Sequence, residues 1–328
     1  MNPSQSSGPP EGHAPLTGVL VMAHGTPGTP EEIEPFYTSI RRGRHPTPEL
    51  LADLVKRYDA LGGVSPLAHR TQRQVDGLAG ALEAMAPGEY VVGYGAKHTS
   101  PRIEDGIEAL AAAHVGQIIG VVLTPHQSTL GSGEYLRRAG EAAAATTPPS
   151  RFVGIPSWHR APGLADLLAS RTSAVLAALT PPQRQKTSVF FTAHSLPTRV
   201  IAEGDPYPDQ VHESATDIAC LLGLDVIDDL DWGVAWQSAG RTADPWIGPD
   251  LLAEIRRVAA DGATSVVVCP VGFVSDHLEV LFDLDIEAAG VARSLGVTFA
   301  RTPSLNDDPG FLDILANVIR AAPASTPW

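Results

Sequence analysis

Short apolar runs alternate with helix-patterned stretches about ten times along these 328 residues, and that alternation commits a chain to parallel β-sheet covered by helices. Residues 18–23 form the first apolar run, and His24-Gly25-Thr26-Pro27 turns it toward a helix. Thr29-Pro30-Glu31-Glu32 reads there as N-cap, proline at the first helical position and capping-box glutamate. A second helix is expected near Thr47-Pro48-Glu49, with Leu50, Leu54 and Tyr58 at helical spacing, and a third carries Val75, Leu78 and Leu82 on one face. Strands at 90–94 and 117–123 then alternate with helices from about Pro101 and Ser132. After a small, proline-ended stretch at 142–149 the pattern restarts, with strands at 151–155, 187–192, 233–237, 265–269 and 297–300 and a last helix from about Pro309.

So many alternations exceed one ordinary sheet, and two Rossmann-like domains are the economical solution. The expected division is residues 17–150 plus about 302–322 for the N-terminal domain and 151–301 for the C-terminal one, behind a disordered tail at 1–16 rich in Ser, Pro and Gly. A short internal echo supports it. Ala23-His24-Gly25-Thr26-Pro27 and Ala193-His194-Ser195-Leu196-Pro197 each follow an apolar strand with Ala-His-x-x-Pro. If that marks a duplication, His24 and His194 occupy equivalent strand ends, where open α/β sheets bind ligands.

Composition narrows the function. A formal charge of −14 argues against nucleic acid or an anionic membrane as partner. An anionic small molecule would need a local basic patch, and Arg41-Arg42-Gly43-Arg44, with Arg57 beyond, supplies one. No apolar run reaches the ~20 residues of a membrane helix, and the tail lacks the layout of a signal peptide, so a soluble cytoplasmic protein is expected. Cys220 and Cys269 offer neither metal-ligand spacing nor a disulfide framework.

The densest polar signal follows the strand at 265–269. Glu279, Asp283 and Glu287 fall at i, i+4 and i+8, stacking three carboxylates on one helix face. Like charges so placed need solvent, raised pKa values or a cation. A plain alternative stays open: Asp276 as N-cap with Glu279 as capping-box partner, on a solvated acidic face. Polar residues also end several strands, namely His24, Lys97-His98, His126, His194-Ser195, Gln237-Ser238 and Asp276-His277. Dinucleotide and Walker glycine loops, a nucleophile elbow and paired zinc ligands are all absent. What remains is imidazole set against a carboxylate row, chemistry suited to moving protons while handling a divalent cation.

Four motifs in order carry a resemblance: Phe191-Thr192-Ala193-His194-Ser195-Leu196-Pro197, Gly204-Asp205-Pro206-Tyr207-Pro208-Asp209-Gln210, Trp236-Gln237-Ser238-Ala239-Gly240 and Pro270-Val271-Gly272-Phe273-Val274-Ser275-Asp276-His277-Leu278-Glu279. From about Gly18 to Ile319 the chain resembles the ferrochelatases, closest to the short Gram-positive type that acts on coproporphyrin rather than protoporphyrin. The resemblance implies a two-domain chelatase fold with the porphyrin in the cleft, and a lyase of haem biosynthesis that makes coprohaem from Fe(II) and coproporphyrin III. It also implies a monomer without stable membrane insertion.

By the same resemblance His194 is proton acceptor or iron ligand, with Glu279 opposite it across the cleft and Asp283 and Glu287 extending a path for protons or metal. Lys97 and His98 border the metal side, and Arg41, Arg57, Ser65 and Tyr135 contact the porphyrin or its propionates. Iron is then a substrate, and no prosthetic group is implied. Two departures from the family stand out. His24 occupies a position where close relatives carry a tyrosine able to ligate product iron, so it is either a ligand or a hydrogen-bonded strand end. Two cysteines are too few for the iron–sulfur cluster of some relatives. The alternatives are a protoporphyrin IX ferrochelatase, a non-catalytic tetrapyrrole carrier, or a chelatase for cobalt or another ion.

Overall fold

A computed structural model describes residues 16–224, 230–240 and 244–322. The first half runs β1 (Thr17–Ala23), α1 (Ile33–Ile40), α2 (Pro48–Asp59), α3 (Leu67–Met85), β2 (Tyr90–Ala96), α4 (Ile103–Ala112), β3 (Gln117–Val122), α5 (Ser132–Ala145) and β4 (Phe152–Ile155). The second runs α6 (Leu164–Ala178), α7 (Pro181–Arg184), β5 (Thr187–His194), α8 (Thr198–Ala202), α9 (Tyr207–Leu222), β6 (Leu230–Gln237), α10 (Leu251–Ala260) and β7 (Ser265–Cys269). It continues with α11 (Leu278–Leu281), a π-helical turn (Asp283–Ala288), α12 (Ala289–Ser294), β8 (Thr298–Arg301) and α13 (Pro309–Arg320).

Each half holds a parallel four-stranded sheet, ordered β2-β1-β3-β4 and β6-β5-β7-β8. The two orders match strand for strand, so β1 and β5 hold the same place and the Ala-His-x-x-Pro echo marks equivalent strand ends. Val19, Leu20, Val21 and Met22 of β1 and Val266, Val267 and Val268 of β7 are fully buried, as strands covered on both faces require. One apolar cluster is shared by both halves: Val19 and Val21 join Val189, Phe191 and Val267 through α3, α6, α9 and α13. Gly77 permits the tightest part of that contact, since a Cβ there would strike Leu312 of α13.

Local sequence explains several helix starts. Thr47, Asp250 and Asp308 each accept a hydrogen bond from a backbone N–H in the first turn of α2, α10 and α13, and Pro48 and Pro309 follow two of them. The expected capping box at Thr29 does not form. Pro30–Glu32 is a 3-10 turn without a side-chain cap, and the Glu32 carboxylate instead accepts from the Gly28 N–H at 2.7 Å.

The expected domain boundary at 151 also shifts. β4 pairs with β3 in the register Ile118↔Phe152 to Val121↔Ile155 and so belongs to the first sheet. The proline-ended stretch at 142–149 is only the loop into that strand, closed by Thr146, whose hydroxyl accepts from the Ser150 N–H at 2.8 Å. Of the expected tail, residues 1–15 lie outside the described residues. Among the described residues no helix is long and apolar enough to cross a membrane.

Candidate active site

The carboxyl ends of both sheets open on one cleft of about 1010 Å³. β5 delivers His194 to it, and the loop after β7 delivers His277 and Glu279. Gly272 makes that delivery possible: a Cβ there would overlap the backbone of Ala193, so the loop can run directly against the end of β5. His194 Nε2 consequently lies 3.6 Å from Glu279 Oε1, and His277 Nε2 lies 3.7 Å from Glu279 Oε2. Two imidazoles bracket one carboxylate. Gln237 donates to the Glu279 backbone carbonyl at 2.8 Å, and the Tyr207 hydroxyl donates to the His194 carbonyl at 3.1 Å, fixing both stems.

The expectation that Glu279 faces His194 across the cleft is therefore corrected. β5 and β7 are hydrogen-bonded neighbours, about 4.8 Å apart, and residues leaving their ends share one wall. Burial alone would lower the His194 pKa, but the Glu279 charge and hydrogen bond, with help from the Ser195 carbonyl and Asp283, raise it to about 9. Burial likewise opposes the Glu279 charge, and His194 and His277 outweigh it and hold that carboxyl well below the usual range. At neutral pH the resting pair is imidazolium and carboxylate, not the neutral imidazole expected of a proton acceptor.

The acidic row exists in a different helix from the one expected. Asp276 is not its N-cap: His277 holds that place, and Asp276 accepts from Ser304, Asn306 and Arg301. Glu279 sits on α11, whereas Asp283 and Glu287 sit on the π-helical turn, closed by Glu287 N–H to the Phe282 carbonyl at 2.9 Å. Exposure varies along the row: Glu279 is about a third exposed at 35 %, Asp283 is buried and Glu287 is open to solvent, and all three line the cleft. Burial and the nearby Glu279 charge push the Asp283 pKa up to about 6, against the Ser238 hydroxyl and Arg57, which favour its ionised form.

Arg57, expected to contact the porphyrin or its propionates, lines the cleft, with its guanidinium 3.5 Å from Asp283 Oδ1 and 5.2 Å above the Phe282 ring. Lys97 is likewise engaged, bound to Glu134 at 2.6 Å and lying over the Tyr135 ring at 5.0 Å. Ser65 and Tyr135 line the cleft, with the Ser65 hydroxyl also accepting from the Leu67 N–H. Arg41 lines it with Arg42 and Arg44, and among the described residues none of these three forms an ion pair. The basic turn thus presents cations without a carboxylate partner among the described residues, Arg41 and Arg44 each donating to the other's backbone carbonyl.

From the first sheet, His24 reaches the cleft with Nδ1–H donating to the Gly25 carbonyl at 3.2 Å. Its ring opens on the cleft while Phe36 and His98 pack against it, at 5.6 and 4.7 Å between centroids. Crowding by neighbouring groups lowers its pKa to about 4 against the Glu279 charge, although the ring itself is exposed on the cleft. His98, expected at the metal, lies behind His24, bonded to Ser39 at 3.0 Å, and does not line the cleft. Burial and the neighbouring His24, Lys97 and Arg102 hold its pKa at about 3.

Among the described residues no group of three or more His, Cys, Asp or Glu side chains is arranged to hold a metal, so the five expected ligands form no preassembled cage. Two residues absent from the expected set carry weight. His277 brackets Glu279, and its place beside Asp276 among the polar residues after the strand at 265–269 was the available signal. Ser238, at φ 59, donates a short hydrogen bond to Asp283, and nothing in its local sequence announces that backbone.

The ferrochelatase family model matches residues 16–322. A ferrochelatase of Herpetosiphon aurantiacus is 41% identical over 92% of this chain and 98% of its own length. The coproporphyrin III ferrochelatases of Anoxybacillus flavithermus and Halalkalibacterium halodurans are 41% and 42% identical, over 93% and 92% of this chain and 95% and 96% of their own. In fold, the chain is similar to SirB from Bacillus subtilis with Fe3+, at TM-score 0.56 and 13% identity over 94% of this chain and 96% of that one. With matching half-sheets, a shared cleft and these relatives along nearly its whole length, the chain belongs to the ferrochelatase family.

Proposed function

We propose that the protein inserts ferrous iron into coproporphyrin III to give coprohaem, acting in the cytoplasm. The observation that carries the proposal is the cluster of His194, Glu279 and His277 on a cleft large enough for a flat macrocycle, with Asp283 and Glu287 leading outward from it. Insertion exchanges one Fe(II) for two pyrrole protons, so the site must hold a dication briefly and release two protons.

At rest His194 carries a proton, since its pKa is raised to about 9. An approaching dication disfavours that charge, and the proton leaves. Neutral His194 and ionised Glu279 are then both bases beside the ring nitrogens. Asp283, with a pKa of about 6, takes and loses a proton readily near neutrality, and Glu287 meets solvent, which suits a relay out of the cleft. Carboxylates bind a divalent ion of this kind loosely enough to hand it on. The reaction as written needs no prosthetic group.

The basic turn supports an anionic substrate in a protein of formal charge −14. Arg41, Arg42 and Arg44 line the cleft with no carboxylate partner among the described residues, and guanidinium matches the geometry of peripheral carboxylates. The choice of coproporphyrin III is supported by relatives bearing that name at 41–42% identity. The same net charge keeps the chain off an anionic bilayer.

The test is anaerobic incubation with Fe(II) and either coproporphyrin III or protoporphyrin IX, following the free-base Soret and Q bands. Conversion of coproporphyrin III at the greater kcat/KM is the expected result. Conversion of neither would remove the enzymatic reading and leave a tetrapyrrole carrier. Preference for protoporphyrin IX would overturn the substrate.

A further inference from the structure

The carboxylate row depends on a π-helical turn, and the sequence of 278–288 does not by itself demand one. The i, i+4, i+8 spacing is compatible with an α-helix at 3.6 residues per turn and with the wider π form, but the two forms set Glu287 at different angles to Glu279. Contacts from outside the segment can select between them.

Two guanidiniums touch the segment from outside: Arg57 meets Asp283 on the cleft side, and Arg301 meets Asp285 away from the cleft. Arg301, at the end of β8 and only 15 % exposed, donates from Nε to Asp285 Oδ1 at 2.6 Å and from a terminal nitrogen to Asp285 Oδ2 at 2.9 Å. That terminal nitrogen also reaches Asp276 Oδ1 at 3.3 Å. Asp285 is the middle of the π-helical turn and does not line the cleft, while Asp276 lies just ahead of His277 and α11. Arg301 therefore joins the middle of the turn to the residue ahead of α11, from a strand held in the second sheet through the pairs Ser265↔Thr298 to Val268↔Arg301. Ser304 at 2.8 Å and Asn306 at 2.8 Å complete the Asp276 carboxylate, and Asn306 Oδ1 accepts the Asp276 N–H at 2.9 Å.

We propose that Arg301 is a positioning residue that holds the π-helical turn open, and with it the mutual orientation of Glu279, Asp283 and Glu287. The proposal rests on reading that row as the path for protons and iron. Without the guanidinium, Asp276 and Asp285 become neighbouring carboxylates with no shared cation. Asp285 is then free to turn to solvent and the turn to tighten toward 3.6 residues. Tightening rotates Glu287 about the axis relative to Glu279 and breaks the row without touching the porphyrin wall.

The experiment compares R301M, R301K and D285N with wild type. It measures kcat, KM for Fe(II), coproporphyrin affinity by fluorescence quenching, thermal stability, and hydrogen exchange of the amides at 278–288. R301M and D285N are expected to fold, to bind porphyrin within about twofold of wild type, and to lose kcat by about tenfold while KM for Fe(II) rises. R301K should recover part of the loss, the double variant should be no worse than either single one, and exchange should quicken at 283–288 alone. Wild-type kcat and iron KM in a folded R301M would overturn the proposal, as would a parallel loss of porphyrin affinity. Should wild type itself insert no iron, the function proposed above falls separately, and unchanged exchange at 283–288 in R301M would then overturn the clamp.

Discussion

His194 and Glu279 stand side by side, Nε2 3.6 Å from Oε1, on one wall of the cleft. No flat ring fits between groups this close, and the two titrate as a unit. That coupling governs how stability and activity answer to pH.

The first prediction concerns the pair itself. The folded His194 pKa of about 9 exceeds its ordinary 6.5, so its contribution to stability is complete below about pH 6.5 and is lost as pH rises through 9. The depressed Glu279 carboxyl contributes above its ordinary 4.5 and loses that contribution as pH falls through its folded value. Thermal melts of wild type should decline between pH 6.5 and 9, and Glu279→Gln should flatten that decline. Because each side chain is about a third exposed, at 33 and 35 %, solvent screening keeps the effect modest. Glu279→Gln and His194→Ala should both abolish iron insertion while sparing porphyrin binding. An equal pH slope in Glu279→Gln would remove the ion pair from the argument.

Asp283 gives a pH dependence opposite in sign to that of Glu279. Its carboxyl is raised from 3.8 to about 6, so the folded state binds protons more tightly than the unfolded chain, and stability falls as pH climbs from about 4 to 6. A shift of that size corresponds to about 3 kcal/mol of destabilisation at neutral pH. Asp283→Asn should raise Tm by a few degrees at pH 7.5, the gain vanishing below pH 4, while turnover drops. A variant both slower and less stable at pH 7.5 would contradict the shift.

Much of this architecture is legible in the sequence because the local code for it is strong. β1, β5 and β7 are buried on both faces and read as unbroken apolar runs, and the repeated Ala-His-x-x-Pro locates two equivalent strand ends. Pairing partners are less legible. Nothing within 152–155 states that it joins β3, since parallel neighbours meet only after a crossover. The carboxylate row is visible as spacing, but the choice between α and π form is made by Arg301 from another strand. Arg57 reads as a free cation because its partner Asp283 is more than 200 residues away.

That partnership revises what Arg57 does and separates it from Arg41. Arg57 favours the ionised form of Asp283, so Arg57→Ala should move the acid limb of the kcat profile to higher pH, with little change in porphyrin KM. Arg41 lines the cleft with no ion pair among the described residues, so Arg41→Ala should raise porphyrin KM several-fold and leave the profile in place. Parallel steady-state titrations across pH 5.5–8.5 check both. Exchanged phenotypes would return Arg57 to the substrate.

His24 carries the last prediction. Its Nδ1–H is committed to the Gly25 carbonyl, which leaves Nε2 as the free ring nitrogen of a side chain that lines the cleft. A pKa lowered to about 4 keeps the ring neutral throughout the working range, so the lone pair is available without competition from a proton. Phe36 and His98 pack on the ring and limit its rotation. Neutral imidazole is a good iron ligand, and product iron, unlike substrate porphyrin, has axial positions to fill. His24→Phe should therefore change the ligand-sensitive absorption bands of the bound iron porphyrin and leave its turnover within a few-fold of wild type. His24→Tyr should shift the same bands differently, because a phenolate oxygen replaces a nitrogen. Identical product spectra in all three proteins would mean that His24 is a hydrogen-bonded strand end and does not touch the metal.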